Sequence, residues 1–231
     1  MNNSIKPLLS VKTAVPELPI MTYSAAATTE ISAVLAKVLS LNEFYVTTPE
    51  LIAKRANIEK QLCSPGVSRD SVSCLQGLSY PLFMVIDDRS QRWVRVKVLE
   101  VSTDLKPVSA VVFKIDYGDT MKVPLANLIQ LPMKFHEQGC VYKCSLPVKP
   151  VPRGRNKNTQ AASEEPMHYL SALCNNGVLV DLRLFMVDNL NVHIVELFLE
   201  NTTSGCTFSF EKKGWVTLSH NIQLEQCTRN R

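Results

Sequence analysis

The residues best suited to metal chemistry are two cysteines and a histidine. His136, Cys140 and Cys144 follow one another at intervals of four residues. A structural zinc site requires four ligands, and no second pair of ligands lies at a suitable spacing. Residues four apart in a strand share one face, so the spacing favours buried, unliganded thiols. We predict no metal site and no cofactor.

Phosphodiester hydrolysis needs clustered carboxylates that hold a divalent cation, and arginines that stabilise the developing charge. The apolar stretch from Val178 to Leu199 contains Asp181, Arg183 and Asp188, which are isolated from one another. They form no acidic cluster. We therefore predict no catalytic residues and no enzyme activity.

Four basic residues lie in a proline-rich stretch without an intervening acid: Lys149, Arg153, Arg155 and Lys157. Such a loop could contact RNA phosphates. Loops of this composition are usually only solvated, and Lys212-Lys213 beside Trp215 is interpreted in the same way. The 25 Lys+Arg and 21 Asp+Glu give a net charge of only +4. The sequence therefore does not favour direct RNA binding.

Cysteine usage indicates the compartment. Seven cysteines at irregular spacings do not form the framework of a secreted disulfide domain. No basic-then-apolar leader opens the chain, and no apolar stretch approaches the about 18 residues of a membrane helix. We expect a reducing, intracellular compartment and no membrane partner.

The elements that position these residues begin after a flexible lead-in, predicted for residues 1–29. Short strands are predicted at Ala33–Leu39 and Glu43–Val46. Thr48 followed by Pro49 is typical of a helix N-terminus, and Ser64-Pro65-Gly66 ends that helix near Cys63. Residues 30–63 form the first part of one domain, and a linker follows over 64–78.

Residues 79–131 contain four closely spaced strands: Leu82–Ile86, Trp93–Val101, Val108–Ile115 and Met121–Pro124. Strands this short, joined by tight turns, predict a small antiparallel barrel. Trp93 and Phe113 occupy alternating strand positions typical of core residues.

The segment 132–231 contains a strand near Cys140–Leu146 and a proline-rich loop over 148–163. Ser163 is the predicted N-cap of a helix, and a hairpin follows from Val178–Val187 and Asn191–Leu199. Neither 30–63 nor 132–231 contains enough strands to close a sheet. We therefore predict that they form one mostly β domain with some α-helix, into which the small barrel is inserted.

Several motifs identify a family resemblance over roughly residues 31 to 215. Residues 113–119, Phe-Lys-Ile-Asp-Tyr-Gly-Asp, resemble the strand-and-turn signature of Tudor domains, and Trp93-Val94-Arg95-Val96 resembles the preceding W-Y-R-A strand. Leu128–Pro132 with Lys143–Leu146 is similar to the L-x-x-L-P and C-S-L exit of extended Tudor domains. Leu39–Val46 is similar to the strand that precedes their connecting helix.

The resemblance implies a fold and a function. The fold is a Tudor barrel inserted into a staphylococcal-nuclease-like OB barrel and joined to it by a connecting helix. The implied partners are PIWI-class Argonaute proteins of germline small-RNA pathways, whose arginine-rich N-terminal tails carry symmetric dimethylarginine. Other Tudor proteins are further partners, and the implied location is the cytoplasmic, perinuclear germline granule, or nuage.

The family binds dimethylarginine with four aromatic residues and an asparagine. In this chain Tyr117 matches one aromatic residue, whereas Val94 and Lys114 replace two others and Asp119 replaces the asparagine. The remaining wall corresponds to Val85 or Ile86. Aromatic rings hold a methylated guanidinium by cation–π attraction and stacking, so the cage is incomplete.

Asp119 changes the expected preference, because a carboxylate forms paired hydrogen bonds with an unmodified guanidinium that methyl groups would obstruct. We predict arginine binding that is independent of methylation or prefers the unmethylated form. The alternative is a scaffold or dimerisation module without an arginine pocket, in which Val85 and Val94 contribute an apolar patch. Asp116 is expected to stabilise the turn by accepting backbone N–H bonds.

Overall fold

The computed structural model describes residues 18–21, 30–67, 69, 82–102, 107–150, 158–200, 202–214 and 216–218. Its strands, β1 to β12 in chain order, are Glu30–Ser40, Glu43–Thr47, Leu82–Asp87, Arg92–Ser102, Ser109–Lys114, Thr120–Pro124, Ile129–Gln130, Tyr142–Ser145, Val148–Pro150, Leu179–Val187, His193–Leu199 and Val216–Leu218. Its α-helices, α1 to α3, are Pro49–Leu62, Asn158–Asn175 and Cys206–Lys212.

Strands from both ends of the described chain close one barrel, the split barrel, in the spatial order β1, β10, β11, β8, β2. The β8–β11 pairing is parallel and the others are antiparallel. Strand β1 pairs with β10 through its first half and with β2 through its second. Irregularities between Leu35 and Lys37 and between Val38 and Ser40 interrupt the second pairing, as expected where a strand bends to close a barrel.

Five antiparallel strands form a second sheet, the inserted sheet, in the order β6, β5, β4, β3, β7. In chain order its strands come after β1, β2 and α1 and before β8, so the inserted sheet interrupts the split barrel between β2 and β8. This arrangement confirms the predicted fold class, a mostly β fold with some α-helix in which a small antiparallel unit is inserted into a β-barrel and joined to it by a helix. The inserted unit, predicted as a small barrel, is a five-stranded sheet in the structure.

Helix α1 begins where the sequence predicts. The Thr48 hydroxyl accepts a hydrogen bond from the Leu51 amide at 3.4 Å, and Pro49 occupies the first turn, where its missing N–H is not needed. The helix ends at Leu62, just before Ser64-Pro65-Gly66. Its inner face carries Ile58 and Leu62, which are buried.

The predicted start of the second helix is wrong. Ser163 lies inside α2, which begins at Asn158. The residues before Ser163 include Ala161 and Ala162, and alanine is the strongest helix former, so the helix extends further toward its N-terminus. The predicted loop over 148–163 also begins with a strand, because β9 pairs with β12, while residues 151–157 lie outside the described residues.

Most of the predicted lead-in and linker lies outside the described residues. Within residues 1–29 only 18–21 are described, and Met21 is buried, with its amide donating to His193 Nε2 at 2.9 Å. Within 64–78, Val67 is buried against α1 and the inserted sheet.

Three apolar clusters form the core of the part of the chain that the structure describes. One fills the split barrel, and another lies within the inserted sheet. The third, which we call the joint core, consists of buried residues from α1, β3 and the segments that follow α1, β5 and β7: Ile58, Leu62, Val67, Leu82, Met84, Ile115, Leu131, Phe135 and Cys140. The joint core therefore fixes the inserted sheet against the connecting helix and the return to the barrel.

Candidate functional site

The turn after β5 presents the predicted site residues. The Lys114 carbonyl accepts hydrogen bonds from the amides of Tyr117 at 3.1 Å and Gly118 at 2.9 Å. Gly118 has a φ of +78°, and a Cβ there would overlap the ring of Tyr45 on β2. A glycine is therefore required both by the left-handed backbone and by the close approach of the turn to the split barrel.

The ring of Tyr117 is already covered by an arginine of the same chain. The guanidinium carbon of Arg55, on α1, lies 4.3 Å from the ring centroid, within cation–π range. The Tyr117 hydroxyl donates to Glu59, one helical turn further on, which also pairs with Arg92 at 3.3 Å. Burial and the neighbouring Glu59 raise the pKa of the Tyr117 hydroxyl above its ordinary value of 10.0. Tyr117 is therefore held as a neutral phenol beneath an internal guanidinium.

Asp119 is also engaged by a residue of the same turn. Lys114 is buried, and its ammonium lies 3.0 Å from Asp119 Oδ2 and 3.5 Å from Asp87 Oδ1. The other carboxylate oxygen of Asp119, Oδ1, is buried and has no hydrogen-bond partner in the described part of the chain. One acceptor of Asp119 thus remains unused.

Asp87 was not anticipated at this site, although it ends β3 directly after Ile86. Burial by itself would raise its pKa, but the hydrogen bonds from Ser90 and the charge of Lys114 outweigh burial and lower it. The carboxylate is therefore ionised beside Lys114. Two carboxylates share one buried ammonium, which neutralises part of the charge that Asp119 would offer to a ligand.

Two of the predicted wall residues are not accessible. Val85 and Val94 are paired across β3 and β4, and each is 2% exposed in the core of the inserted sheet. Because they are buried, these two valines neither line an arginine site nor form an apolar docking patch, contrary to what the sequence predicts. Ile86, the next residue along β3, lies on the opposite face because side chains alternate along a strand, and it is 41% exposed.

Asp116 is structural, but its partner differs from the predicted one. Its carboxylate accepts two hydrogen bonds from the guanidinium of Arg95, at 2.9 Å from Nε and 2.6 Å from Nη2. Arg95 is fully buried and also donates to the carbonyls of Phe135, Glu137 and Gln138. The pair therefore connects β4, the turn and the segment leading to β8.

Tyr117 and Asp119 face a common hollow. Both border a cavity of about 340 Å³ together with Lys37 and Val38 of β1 and Ser171 and Cys174 of α2. A larger cavity of about 960 Å³, which we call the groove, lies between the inserted sheet and the split barrel, and Lys37 and Asp119 border it as well. The structure therefore brings together the phenol and the carboxylate that the sequence predicts.

The other reactive side chains have structural surroundings. Cys140 and Cys144 are fully buried, and burial together with Asp116 raises the pKa of the Cys140 thiol to about 12. His136 Nε2 lies 2.8 Å from the Leu131 carbonyl. No group of three or more His, Cys, Asp or Glu suited to a metal occurs among the residues that the structure describes.

The residues considered for hydrolysis are separately engaged. Asp181 accepts a hydrogen bond from Ser32, Arg183 pairs with Glu30, and Asp188 accepts backbone N–H bonds within the β10–β11 turn. Of the basic residues considered for RNA, Arg153, Arg155 and Lys157 lie outside the described residues, as does Trp215. Among the described helices, none is both long and apolar enough to cross a membrane.

Sequence inspection missed Arg55, Glu59 and Arg92 as site residues. The available signal was the spacing of Arg55 and Glu59, four apart on a predicted helix, which places both on one face. Nothing in the sequence indicates that this face covers a turn 58 residues further along the chain.

An inserted antiparallel sheet, a split β-barrel and a connecting helix define the extended Tudor fold. The Tudor domain family profile matches residues 27–148, more than half of the chain, so the chain belongs to this family. No curated protein matches it.

Solved extended Tudor domains share the fold. One is that of human TDRD1 in complex with a symmetrically dimethylated peptide, at 17% identity and a TM-score of 0.66, covering 89% of this chain and 96% of that one. The TD3 domain of mouse TDRD1 with a dimethylarginine-containing MILI peptide is 16% identical, with a TM-score of 0.65, and the match covers 87% of this chain and 98% of that one. The extended Tudor domain of Drosophila melanogaster Papi is 17% identical, with a TM-score of 0.63, and the match covers 82% of this chain and 99% of that one.

Proposed function

We propose that this chain is a peptide-binding scaffold module that recognises an arginine-rich N-terminal segment of a PIWI-class Argonaute without requiring arginine methylation. The observation that carries the proposal is that Tyr117 and Asp119 border one hollow without further aromatic walls at the matching positions. The peptide complexes of related domains support a peptide ligand.

The lack of aromatic walls argues against selection for methyl groups. A dimethylated guanidinium gains over an unmodified one by packing its methyl groups between rings. Here Val85 and Val94 are buried, Lys114 replaces an aromatic residue, and the Tyr117 ring is covered by Arg55. Methylation would therefore add little favourable contact.

The carboxylate of Asp119 supplies the recognition of arginine in this proposal. Its side chain is 21% exposed beside the hollow, and a hydrogen bond between charged groups contributes about 1.5–3 kcal/mol. Methyl groups remove donors from the guanidinium and obstruct paired hydrogen bonding. Lys114 shares the carboxylate and weakens its field, so we expect affinity to depend also on contacts outside this pair.

Calorimetric titration with matched Argonaute-tail peptides, unmodified and symmetrically dimethylated, tests the proposal. We expect the two dissociation constants to agree within about threefold or to favour the unmodified peptide, and Asp119→Asn to weaken binding by about tenfold or more. Asp88→Asn, in the exposed β3–β4 turn, is the matched control. A preference of about tenfold for the dimethylated peptide would reject the proposal.

A second candidate is a protein–protein scaffold without an arginine pocket, including self-association or assembly with another Tudor protein. It is favoured by the internal pairing of Tyr117 with Arg55 and of Asp119 with Lys114. Tyr117→Ala and Asp119→Asn separate the candidates. The pocket predicts a loss of peptide binding in both variants, whereas the scaffold predicts partner binding close to wild type.

The proposal includes binding rather than catalysis as the activity, and the germline granule as the location. Asp181 and Asp188 are engaged by Ser32 and by backbone amides, which leaves them poorly suited to holding a cation. Incubation with labelled single-stranded nucleic acid and Mg²⁺ or Ca²⁺ should give no cleavage.

A fluorescent fusion in germ cells should concentrate in perinuclear granules, and a diffuse distribution would contradict the location.

A further inference from the structure

The groove has an apolar lining that is partly open to solvent. Leu39 of β1, Leu99 of β4 and Leu190 of the β10–β11 turn all border it, and they are 50%, 47% and 75% exposed. Isolated exposed leucines are ordinary, but several around one concave surface mark an interaction site. These leucines come from both the split barrel and the inserted sheet, so the surface exists only when the two are packed together.

The charges around the groove are predominantly positive. Lys37, Arg89 and Lys97 border it, and none of them forms an ion pair with another described residue. The acids that border the groove are already matched. Glu43 pairs with Lys143 at 2.9 Å, and Asp119 pairs with Lys114. Among the described residues, these three cations therefore have no ion-pair partner and lie beside exposed apolar surface.

We infer that the groove docks an extended acidic segment of a partner protein that also carries apolar side chains. The partner's carboxylates would pair with Lys37, Arg89 and Lys97, and its apolar side chains would cover the three leucines. This site goes beyond the proposed arginine recognition, because it requires no arginine and extends over leucines and basic residues that do not border the smaller hollow. Since Lys37 and Asp119 border both cavities, one partner segment can occupy both.

A protein segment fits the groove better than RNA does. Phosphates would satisfy the cations but leave the exposed leucines uncovered. Single-stranded nucleic acid also relies on aromatic rings that stack on bases. The two rings of the groove, Tyr45 and Phe113, pack on each other with centroids 5.5 Å apart, and Tyr45 is buried.

Fluorescence anisotropy with the whole chain and labelled synthetic probes tests the inference. The first probe is a peptide about 12 residues long, able to span about 40 Å when extended, with three leucines and three glutamates separated by serine and glycine. In the second, serine replaces the leucines. In the third, lysine replaces the glutamates. A single-stranded RNA of similar length is the fourth. We expect the leucine–glutamate peptide to bind at least about tenfold more tightly than the others, and less tightly as salt increases.

Variants assign the binding to the groove. Lys97→Glu and Leu190→Ser should each weaken binding of the leucine–glutamate peptide by about tenfold or more. Lys122→Glu on β6 and Leu179→Ser on β10 are matched controls, because both residues are exposed and neither borders the groove. Circular dichroism checks that each variant keeps the fold.

Three outcomes would overturn the inference. Groove-dependent binding of RNA in preference to the leucine–glutamate peptide would assign the surface to nucleic acid. Self-association abolished by Leu190→Ser would assign it to a second copy of the chain. Binding of none of the probes would show that the groove is not accessible to a partner. Tyr117→Ala, which tests the arginine site at a residue that does not border the groove, should leave binding of the leucine–glutamate peptide within about twofold, so the two proposals fail separately.

Discussion

Arg55 occupies the position over Tyr117 that a bound guanidinium would take. Its guanidinium carbon is 4.3 Å from the ring centroid, and its side chain also donates to the Asp116 carbonyl at 3.3 Å. A ligand arginine that uses this ring must displace Arg55. The affinity of the site therefore reflects a competition between an internal arginine and an external one.

Arg55→Ala should increase the affinity for an arginine peptide that uses Tyr117. Cation–π contacts contribute about 0.5–1 kcal/mol at exposed sites, so we expect an increase of about two- to fivefold by calorimetry. Arg69→Ala is the control, because Arg69 covers Trp93 at 5.2 Å, away from the hollow. Unchanged or weaker binding by Arg55→Ala would mean that the ring of Tyr117 takes no part in binding.

The buried pair of Arg95 and Asp116 has a much larger expected effect on stability. Asp116→Asn leaves a fully buried guanidinium without its counter-charge, which should lower the free energy of unfolding by about 3–5 kcal/mol. Chemical denaturation measures this change. Glu137→Gln removes the exposed partner of Lys54 and should cost less than about 1 kcal/mol. Similar losses in the two variants would show that the buried pair has no special importance.

At the scale of elements, the β5–β6 turn is fitted against β2 without spare room. Gly118→Ala must adopt a φ of +78° and overlaps the Tyr45 ring, whereas Gly177→Ala has a φ of +59° and meets no atom within 4 Å. Gly177→Ala therefore measures the backbone strain alone. We expect Gly118→Ala to lower the free energy of unfolding by at least about 1 kcal/mol more, by denaturant titration. Equal losses would contradict close packing between the turn and β2.

His193 connects β11 to two neighbouring segments as a neutral ring. Nε2 accepts from the Met21 amide, and so Nδ1 donates to the Lys143 carbonyl at 2.8 Å. Burial lowers its pKa below the ordinary value of 6.5. The unfolded chain therefore takes up this proton first as the pH falls. The stability that the neutral ring contributes is complete above pH 6.5 and is lost progressively below it.

Unfolding free energies measured from about pH 8 down to about pH 5 should show this loss. His193→Gln removes the titrating ring and should make the dependence below pH 6.5 shallower. His168→Gln, on the exposed side of α2, should leave it as in the wild type. An identical dependence in wild type and His193→Gln would contradict the assignment.

At the scale of the whole molecule, the joint core makes the split barrel and the inserted sheet depend on each other. Leu62→Ala removes a fully buried side chain from this core and should cost about 2–5 kcal/mol. Hydrogen exchange should show loss of protection in both β4 and β10. Leu128→Ala, in the core of the inserted sheet, should affect β4 more than β10. Unchanged protection of β10 in Leu62→Ala would mean that the two parts unfold independently.

The sequence by itself determined the local structure, because near neighbours supply the physical signals. Thr48 and Pro49 cap and start α1, alternating apolar residues define most strands, and the Tyr117-Gly118 pair requires the turn. The shortage of strands in residues 30–63 and 132–231 then indicated that residues 79–131 are inserted between two parts of one domain. Ser163 was misjudged because a capping residue marks a helix start only when the residues before it do not continue the helix.

Only the tertiary structure decided which groups meet at the site. Arg55 covers Tyr117, Lys114 pairs with Asp119 and Asp87, and Val85 and Val94 face inward. These outcomes depend on how α1 packs against a turn far along the chain and on which face of β3 meets the core. Long-range packing selects among partners that short-range propensity leaves equivalent. The residue types of the site could therefore be predicted from the sequence, but the internal partners that cover Tyr117 and pair with Asp119 could not.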